Sequence, residues 1–521
     1  MVFWNFYFLA KAFLHFRGYL HAGFLWNFLL LLAVAIPITR RVPRAGLIKK
    51  LRMAAAIPLG LMLFWSETWL PAPATIWHFF SDPASRPSAA YAWQFTIQNF
   101  SPWMVAGVAA AFFVSLAASK RQIRLTPLTF LLVAAMGITG PRHTSGEIDE
   151  FYKSESLREV RLNEPGTRKP DFDLIIIHVC SLSWDDLAHS EFDARPFFSR
   201  FNYLFTNFNS ATAYSTPAAM RLLRAPCGQR SNSAIFKEAP ENCYLMQDLR
   251  VRGYKTYSLL NHDGIYGGFM SSIMKNAKGD PMFTLHLEPE KLDFDDSPIF
   301  SDLETLNEWL QTAESSKMPA AVYYNTISMH TGGHYSRSVV KNPWAKPRQV
   351  RYNDFLGIFI GELERFFAKL ETSGRKAVVI FVPEHGAALA GTRLQAADLR
   401  DIPFPQITLV PVGIRIFGPG YNGVPVRQKT IDKPVSYLAL AGAMAALLNH
   451  SPYQNPGVSQ KAVLGSIQET RPVSENATAI VMKSGRGYIY KPRYSGWINL
   501  PPDINPQFTG DRYMFEGPEK N

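Results

Sequence analysis

The sequence predicts an α/β protein in two parts: an N-terminal multi-span α-helical membrane region, then a domain with a mostly parallel sheet between helices. Before residue 141 the chain is rich in aromatic and aliphatic residues and poor in acids. After it, short apolar runs alternate with helix-like segments. The 521 residues are 47% hydrophobic and 18% charged, which excludes a mostly disordered chain and allows more than one domain.

The N-terminal region, residues 1–140, contains five apolar stretches, at about 2–16, 20–38, 53–71, 102–118 and 126–140. A helix needs about 20 apolar residues to cross a hydrocarbon core of about 30 Å. The second, third and fourth stretches meet that length best, because the first contains Lys11 and the fifth is short. We therefore expect about five membrane helices.

Basic residues between these stretches predict the orientation. One cluster joins the second and third stretches and another joins the fourth and fifth: Arg40, Arg41, Arg44, Lys49, Lys50 and Arg52, and Lys120, Arg121 and Arg124. The positive-inside rule makes such loops cytoplasmic. Five spans then place residues after 141 in the periplasm of a Gram-negative cell, beyond a multi-pass inner-membrane anchor. Because the net charge of +12 is distributed this way, we expect no nucleic-acid partner.

After a polar linker at 141–171, residues 172–521 have the pattern of the periplasmic domain. Strands are predicted at 173–179, 254–260, 320–327, 377–382 and 410–417, since near-continuous apolar runs indicate strands covered on both faces. Helices are predicted at about 217–224, 242–252, 301–314, 350–372 and 434–448. The tail at about 478–498 has two strand-like runs typical of a hairpin.

Reactive residues follow three of these strands. Cys180 follows the first, Glu384 and His385 follow the fourth, and His330 and His334 follow the third. Reactive groups in open α/β sheets gather at the carboxyl ends of strands. Because thiolate, carboxylate and imidazole suit Zn²⁺, the pattern predicts a zinc site. The alternative is a buried cysteine, a helix-capping acid and ordinary loop histidines.

Residues 209–219 contain a candidate nucleophile. Pro217 fits the first position of a helix and Thr216 its N-cap, so Ser215 stands beside free N–H groups that favour an anion. A serine is a poor nucleophile at neutral pH without a base or a metal, and zinc at Cys180 would activate it. The alternative is a capping segment without chemistry.

All three cysteines lie in the exported part, where an oxidising compartment allows one disulfide. Cys227 and Cys243 are sixteen residues apart and could close a short loop, leaving Cys180 for another use. Three buried free thiols are the alternative.

Five motifs within 172–480 resemble those of the bacterial cellulose phosphoethanolamine transferases, in the alkaline phosphatase/sulfatase superfamily. They are Cys180-Ser-Leu-Ser-Trp, Asn207-Phe-Asn-Ser-Ala-Thr-Ala-Tyr-Ser215, Arg221-Leu-Leu-Arg-Ala-Pro-Cys227-Gly-Gln, Pro383-Glu-His385-Gly and Leu399-Arg-Asp-Ile-Pro403. The resemblance implies an alkaline-phosphatase-like domain. It also implies a role for each of these site residues: Ser215 as nucleophile, Cys180, Glu384 and His385 as zinc ligands with Ser215, His330 as a catalytic acid/base or substrate-binding residue, Tyr214 and Arg400 lining the site, and Cys227 with Cys243 as a disulfide. His334 is a possible substrate-binding residue.

The implied reaction is zinc-dependent transfer of phosphoethanolamine from phosphatidylethanolamine to a glucose hydroxyl of cellulose through a covalent serine. The implied partners are cellulose synthase complex subunits. One alternative is a phosphoethanolamine or phosphoglycerol transferase, or a phosphodiesterase, acting on another envelope glycan or lipid. Another is a non-catalytic membrane scaffold of the cellulose secretion complex. A sulfatase is disfavoured, because no arginine stands two residues after Pro217.

Overall fold

The structure is a computed structural model. It describes residues 2–17, 20, 22–36, 45–68, 102–136, 146–163, 169–293, 295–316, 318–330, 334–335, 348–392, 394–395, 397–492, 497–500, 504 and 509–518. Arg40, Arg41, Arg44 and the loop 72–101 lie outside these residues. The chain divides into two compact units: Met1–His143 with Gly391–Ala397 and Ile489–Pro501, and Thr144–Ala390 with Asp398–Tyr488 and Pro502–Asn521.

The first unit has a helix at each of the five predicted apolar stretches. In chain order these are α1 (Val2–Phe16), α2 (Phe24–Ala35), α3 (Ala45–Ser66), α4 (Pro102–Lys120) and α5 (Thr126–Met136). Among the described residues, one helical segment, Trp103–Lys120, is long and apolar enough to cross a bilayer, and α2 and α5 are apolar but shorter. Five membrane crossings therefore remain a prediction.

Lys11, the charge inside the first apolar stretch, has an ion-pair partner within the same unit. Its side chain is fully buried and pairs with Glu67, just after α3. The backbone N–H of Gly23 and the Asn27 amide donate to Glu67 Oε1 at 2.7 and 2.6 Å. Because an unpaired buried charge is costly, this network explains how the apolar helix α1 holds a lysine.

The second unit contains the strands that position the candidate site. In chain order, the first ten strands are β1 (Asp173–Val179), β2 (Tyr203–Asn209), β3 (Lys255–Leu260), β4 (Lys291–Leu292), β5 (Pro298–Ile299), β6 (Ala320–Thr326), β7 (His334–Tyr335), β8 (Ala377–Pro383), β9 (Leu409–Phe417) and β10 (Lys429–Ile431). Seven form one sheet in the order β10-β2-β9-β8-β1-β6-β3, and β5-β4-β7 form a small second sheet. The predicted mostly parallel sheet is confirmed.

One strand of the large sheet runs against the others. β9 pairs antiparallel with both β8 and β2, whereas the β1–β8, β1–β6, β3–β6 and β2–β10 pairs are parallel. The strands β1, β2, β3, β6 and β8 consequently point in the same direction and end at the same edge. All five predicted strands are present with small shifts at their ends. The strands β2 and β10 were not predicted. In β2, the polar residues Thr206, Asn207 and Asn209 interrupt the apolar run.

Helices cover both faces of this sheet. In the described residues of this unit they are α6 (Gly146–Glu155), α7 (Trp184–Ala188), α8 (Arg195–Phe198), α9 (Ser215–Leu223), α10 (Leu245–Arg252), α11 (Phe269–Ala277), α12 (Asp302–Glu314), α13 (Arg348–Thr372), α14 (Pro405–Thr408), α15 (Tyr437–Asn449), α16 (Pro456–Ser466) and α17 (Gly510–Glu516). Alternate residues of β1 face opposite cores. Leu174 and Ile176 pack with α9, α10 and α15, whereas Ile175 and Ile177 pack with α12 and α13.

Further helices and strands precede and follow the large sheet in the sequence. Part of the stretch predicted as a linker is the helix α6, whose Tyr152 hydroxyl donates to Glu475 at 2.5 Å. The remaining strands are β11 (Val473–Glu475), β12 (Ala479–Ser484), β13 (Gly487–Pro492) and β14 (Ile498–Asn499). β12 and β13 are the two strand-like runs predicted for the tail.

A disulfide joins Cys227 to Cys243, and Cys180 is a buried free cysteine. The pairing implied by the resemblance is confirmed, and the alternative of three free thiols is wrong.

We expect the double substitution Cys227→Ala/Cys243→Ala to lower the free energy of unfolding of the second unit by about 3 kcal/mol, because the bond closes a loop of sixteen residues. Denaturant unfolding with and without reductant measures this. Reductant should destabilise the wild type by a similar amount and leave the double variant unchanged. Equal stability of the oxidised wild type and the variant would contradict the expectation.

Candidate metal and nucleophile site

The adjacent ends of β1 and β8 place Cys180 beside Glu384 and His385. Val179 is paired with Pro383 at the last position of the parallel register, so the next residue of each strand enters the same space. Cys180 Sγ lies 3.7 Å from His385 Nε2, which lies 3.7 Å from Glu384 Oε2. All three residues are fully buried, and among the described residues they are the group of His, Cys, Asp and Glu donors close enough to hold a metal.

Ser215 joins this group as the first residue of α9. Its Oγ lies 3.4 Å from Cys180 Sγ and 3.4 Å from His385 Nε2. Tyr214 is the N-cap, with extended backbone and a carbonyl that accepts from Ala218 N–H at 3.1 Å. The prediction of Thr216 as N-cap and Pro217 as first helical residue is wrong by two residues. Pro217 remains in the first turn, where a missing N–H breaks no helical bond.

The four side chains fit the requirements of a zinc ion. With Zn–S near 2.3 Å and Zn–N or Zn–O near 2.0–2.1 Å, neighbouring ligands of a tetrahedral site lie about 3.3–3.6 Å apart. The separations of 3.4 and 3.7 Å between donor atoms are close to this range. Glu384 Oε2 is buried without a hydrogen-bond partner, a costly state that a bound cation would relieve.

Hydrogen bonds set the orientation of His385 and Glu384. His385 Nδ1 lies 2.9 Å from the Gly386 carbonyl, an acceptor that favours a proton on Nδ1, and Nε2 faces Cys180 and Ser215. Burial and the nearby Arg400 guanidinium lower the pKa of His385 to about 3, so the ring is neutral. Asn325 donates to Glu384 Oε1 at 2.5 Å.

His330 contacts the same centre and is held by Asp293. His330 Nε2 lies 3.0 Å from Cys180 Sγ, and its Nδ1 lies 2.9 Å from Asp293 Oδ2. Burial opposes the charged imidazole, but Asp293 and Cys180 outweigh it and raise the pKa of His330 to about 10. Burial likewise opposes the thiolate, but His330 outweighs it and lowers the pKa of Cys180 to about 6. The contact between His330 and Cys180 therefore favours the charged form of each group.

The loops that carry Cys180 and the Glu384–His385 pair are fixed by a capping box. The Ser183 and Asp186 side chains each cap the start of α7, and Asp186 also accepts from Ala387 N–H at 2.6 Å and Leu389 N–H at 3.1 Å. A Cβ at Gly386 would lie 2.5 Å from Ser183 Oγ. Only glycine therefore fits where these two ligand loops cross.

The remaining predicted residues lie at different distances from this centre. Arg400 Nη1 is 3.4 Å from His385 Nε2, which places it at the site. Tyr214 is 39% exposed and its hydroxyl donates to Asp401 at 3.2 Å. His334 lies in β7, and its side chain is outside what the structure describes.

Asp293 and Asn325 contact the site but were not predicted from the sequence. No pattern marks Asp293, whereas Asn325 is recognisable as a polar residue in the apolar strand β6.

Comparison with known proteins identifies the family. Residues 4–138 match the N-terminal domain family of the cellulose biosynthesis protein BcsG, and residues 138–497 match its C-terminal domain family. The chain is 33% identical to the cellulose biosynthesis protein BcsG of Escherichia coli K12 over 558 aligned residues, covering 96% of each protein. The chain belongs to the BcsG family. The cellulose biosynthesis protein BcsG of Salmonella typhimurium is 32% identical over the same coverage.

A solved structure supports the fold. A protein of the alkaline phosphatase superfamily from Vibrio parahaemolyticus superposes with a TM-score of 0.50 at 13% identity, covering 71% of this chain and 91% of that protein. The predicted alkaline-phosphatase-like α/β fold is thereby confirmed. The BcsG family assignment also agrees with the motifs from which it was predicted.

We expect Cys180→Ala to lose tightly bound zinc, because it removes the thiolate from a four-donor set. Asp293→Asn is the matched control: Asp293 contacts His330 and is not one of the four donors, so this variant should retain zinc. Metal analysis of the purified full-length proteins measures both. Equal zinc in Cys180→Ala and wild type would show that Cys180 is not a ligand.

Proposed function

We propose that this chain transfers phosphoethanolamine from phosphatidylethanolamine to a glucose hydroxyl of cellulose through a covalent intermediate on Ser215. Its family is that of a cellulose-related phosphoethanolamine transferase in the alkaline phosphatase superfamily. The observation that carries the proposal is the placement of Ser215 Oγ 3.4 Å from both Cys180 Sγ and His385 Nε2. A hydroxyl among metal donors, at the start of a helix, is the arrangement that a phosphoryl-accepting serine requires.

We assign zinc as the cofactor, held by Cys180, Ser215, Glu384 and His385. A bound zinc ion lowers the pKa of a coordinated hydroxyl and polarises a phosphoryl oxygen. The Ser215 side chain also stands at the N-terminus of α9, where unpaired N–H groups and the helix dipole stabilise negative charge. These groups favour an ionised Ser215 oxygen and an anionic phosphoryl group beside it.

The transfer has two balanced steps. First, Ser215 Oγ bonds to phosphorus, the bond from phosphorus to the glycerol oxygen breaks, and diacylglycerol leaves after its oxygen takes up a proton. Then a cellulose hydroxyl oxygen bonds to phosphorus, loses its proton, and Ser215 Oγ departs. We assign the proton transfers to His330, whose charged form is stabilised by Asp293 at 2.9 Å.

Other residues receive roles from their positions. Arg400 adds a positive charge beside His385, where it can pair with phosphoryl oxygens. For Tyr214, which is exposed next to Ser215, we propose contact with the departing or arriving group. For His334 we propose substrate binding, on the basis of its sequence position after β6.

We propose that residues 1–140 form a multi-pass inner-membrane anchor, 141–171 a linker and 172–521 a periplasmic catalytic domain. Tethering suits the reaction, because the donor is a membrane lipid and the acceptor emerges from a membrane-bound synthase. Holding the enzyme at the same surface raises the effective concentration of both. The proposed protein partners are subunits of the cellulose synthase complex.

We expect Ser215→Ala to abolish transfer and to prevent formation of a phosphoethanolamine adduct, because the atom that accepts phosphorus is removed. Thr216→Ala is the matched control: it removes the neighbouring hydroxyl from the same helical turn and should keep both activity and adduct. Intact-mass analysis after incubation with phosphatidylethanolamine detects the adduct, and phosphorus content of cellulose from complemented cells detects the product. An adduct on Ser215→Ala, or full product from it, would overturn the mechanism.

We expect His330→Ala to retain zinc and slow turnover by roughly 10²–10⁴-fold, the usual contribution of a general acid or base. Added imidazole should restore part of the rate, since it can occupy the space and transfer protons. His286→Ala is the control, because His286 is exposed and pairs with Glu308 away from this centre. Turnover with phosphatidylethanolamine and soluble cello-oligosaccharides measures the effect. An unchanged rate in His330→Ala would remove His330 from the proton transfers.

A further inference from the structure

A cavity with several charged residues in its lining lies beside the disulfide, and none of its lining residues is Cys180, Ser215, Glu384 or His385. It has a volume of about 220 Å³ and is lined by the Cys227–Cys243 bridge and by residues of α9 and α15. Its charged lining residues are Arg221, Arg224, Arg230, Lys237, Glu155 and Glu238. The four cations outnumber the two carboxylates, and none of these side chains belongs to the zinc or nucleophile set.

Arg221 supplies a pair of donors in this cavity. It is only 5% exposed, and its Nη1 donates to the Arg230 carbonyl at 2.7 Å. Its Nε and Nη2 are buried and have no hydrogen-bond partner. These two atoms form one edge of the planar guanidinium, whose parallel N–H groups match two oxygens of a carboxylate or phosphate. Since an unpaired buried cation is costly, the geometry calls for an anion there.

Two carboxylates near Arg221, those of Glu155 and Glu475, are already engaged, and the third acid of the lining, Glu238, is exposed. Glu155 pairs with Arg158 and accepts from Gln229 N–H at 3.0 Å. Glu475, at the end of β11, accepts from the Tyr152 hydroxyl at 2.5 Å and from Asn232 N–H at 2.7 Å. Neither supplies the missing bond to the free edge of Arg221.

A tyrosine and two further cationic residues also line this cavity. Tyr437 lines the cavity, is 5% exposed, and its hydroxyl has no hydrogen-bond partner. Arg230 is half-buried and Lys237 is exposed, so both supply positive charge at the open side. Because the four cations exceed the two carboxylates by two charges, the cavity matches a phosphate, with its charge of about −2, better than a singly charged carboxylate.

We propose that this cavity is a binding site for a small anion carrying a phosphate group, with two of its oxygens on Arg221 Nε and Nη2. The volume is below the roughly 300–1,000 Å³ of pockets for drug-sized ligands, so the ligand is a phosphate with at most a small substituent. Arg221 is six residues after Ser215 in α9, about 9 Å along the helix axis. The site does not depend on the proposed transfer reaction.

The test uses the full-length zinc-bound protein in a non-ionic detergent, and the cavity variants distinguish phosphate binding here from phosphate binding at the Cys180 centre. Thermal unfolding is followed against inorganic phosphate, with sodium chloride and sodium acetate at equal ionic strength. Arg230→Gln/Lys237→Gln alters the open side of the cavity. Lys275→Gln/Lys461→Gln makes the same charge change at exposed positions that do not line it.

Phosphate should raise the Tm of the wild type and the control saturably, as linkage requires, and the apparent Kd should rise at least tenfold in Arg230→Gln/Lys237→Gln. Arg221→Lys keeps the charge but loses the two-donor edge, and should weaken binding similarly. Comparable shifts with chloride or acetate, or the same Kd in the cavity variants and the control, would overturn the proposal.

The source of the phosphate is distinguished by two more probes. Glycerol 3-phosphate tests a soluble phosphate monoester, and phosphatidic acid in mixed micelles tests a lipid headgroup. Tighter binding of glycerol 3-phosphate than of inorganic phosphate, with no effect of the lipid, identifies a soluble ligand. A Tm increase with phosphatidic acid that is lost in Arg230→Gln/Lys237→Gln identifies a headgroup.

Discussion

The parallel register between β1 and β8 is the constraint on which the candidate site depends. It sets Val179 opposite Pro383, so that Cys180 and Glu384 leave the sheet side by side. A slip of one residue would turn each side chain to the other face of the sheet, because the side-chain period of a strand is two. The strand β9 lies between β8 and β2 and is antiparallel to both, so β2 runs in the same direction as β8. Ser215, which follows β2, therefore lies at the same edge of the sheet as Cys180 and Glu384.

The site holds buried polar groups that a metal-free protein stabilises poorly. Burial raises the pKa of Glu384 to about 8, so its carboxyl tends to keep a proton when no cation is present. Glu384 Oε2 lacks a partner, and the only cation in hydrogen-bond contact with Cys180 Sγ among the described residues is His330. Asp186 and Gly386 nevertheless hold the two ligand loops together. The backbone therefore brings together donor groups, one of them an unpaired carboxylate oxygen, that a bound cation would satisfy.

The sequence predicted those features that depend on local patterns. Continuous apolar runs marked β1, β6 and β8, and the residues predicted after them, Cys180, His330, Glu384 and His385, lie together at the candidate site. Features that depend on tertiary pairing were not predicted. The strand β2 was missed because polar residues interrupt its apolar run. Asp293 was missed because it lies between the two-residue strands β4 and β5, which are too short to show a periodic pattern. The N-cap of α9 was misplaced because Thr216 and Pro217 satisfy the usual cap preferences, while the extended backbone at Tyr214 decides where the helix begins.

The central claim is that the strand ends assemble one zinc site from a thiolate and three nitrogen or oxygen donors, including the nucleophile. X-ray absorption at the zinc edge of the full-length protein tests it most directly. The account predicts one sulfur at about 2.3 Å and three nitrogen or oxygen atoms at about 2.0–2.1 Å from zinc in the wild type. In Ser215→Ala, one of the three nitrogen or oxygen atoms should be lost or replaced by another ligand. A zinc shell without sulfur, or one that is identical in wild type and Ser215→Ala, would contradict it.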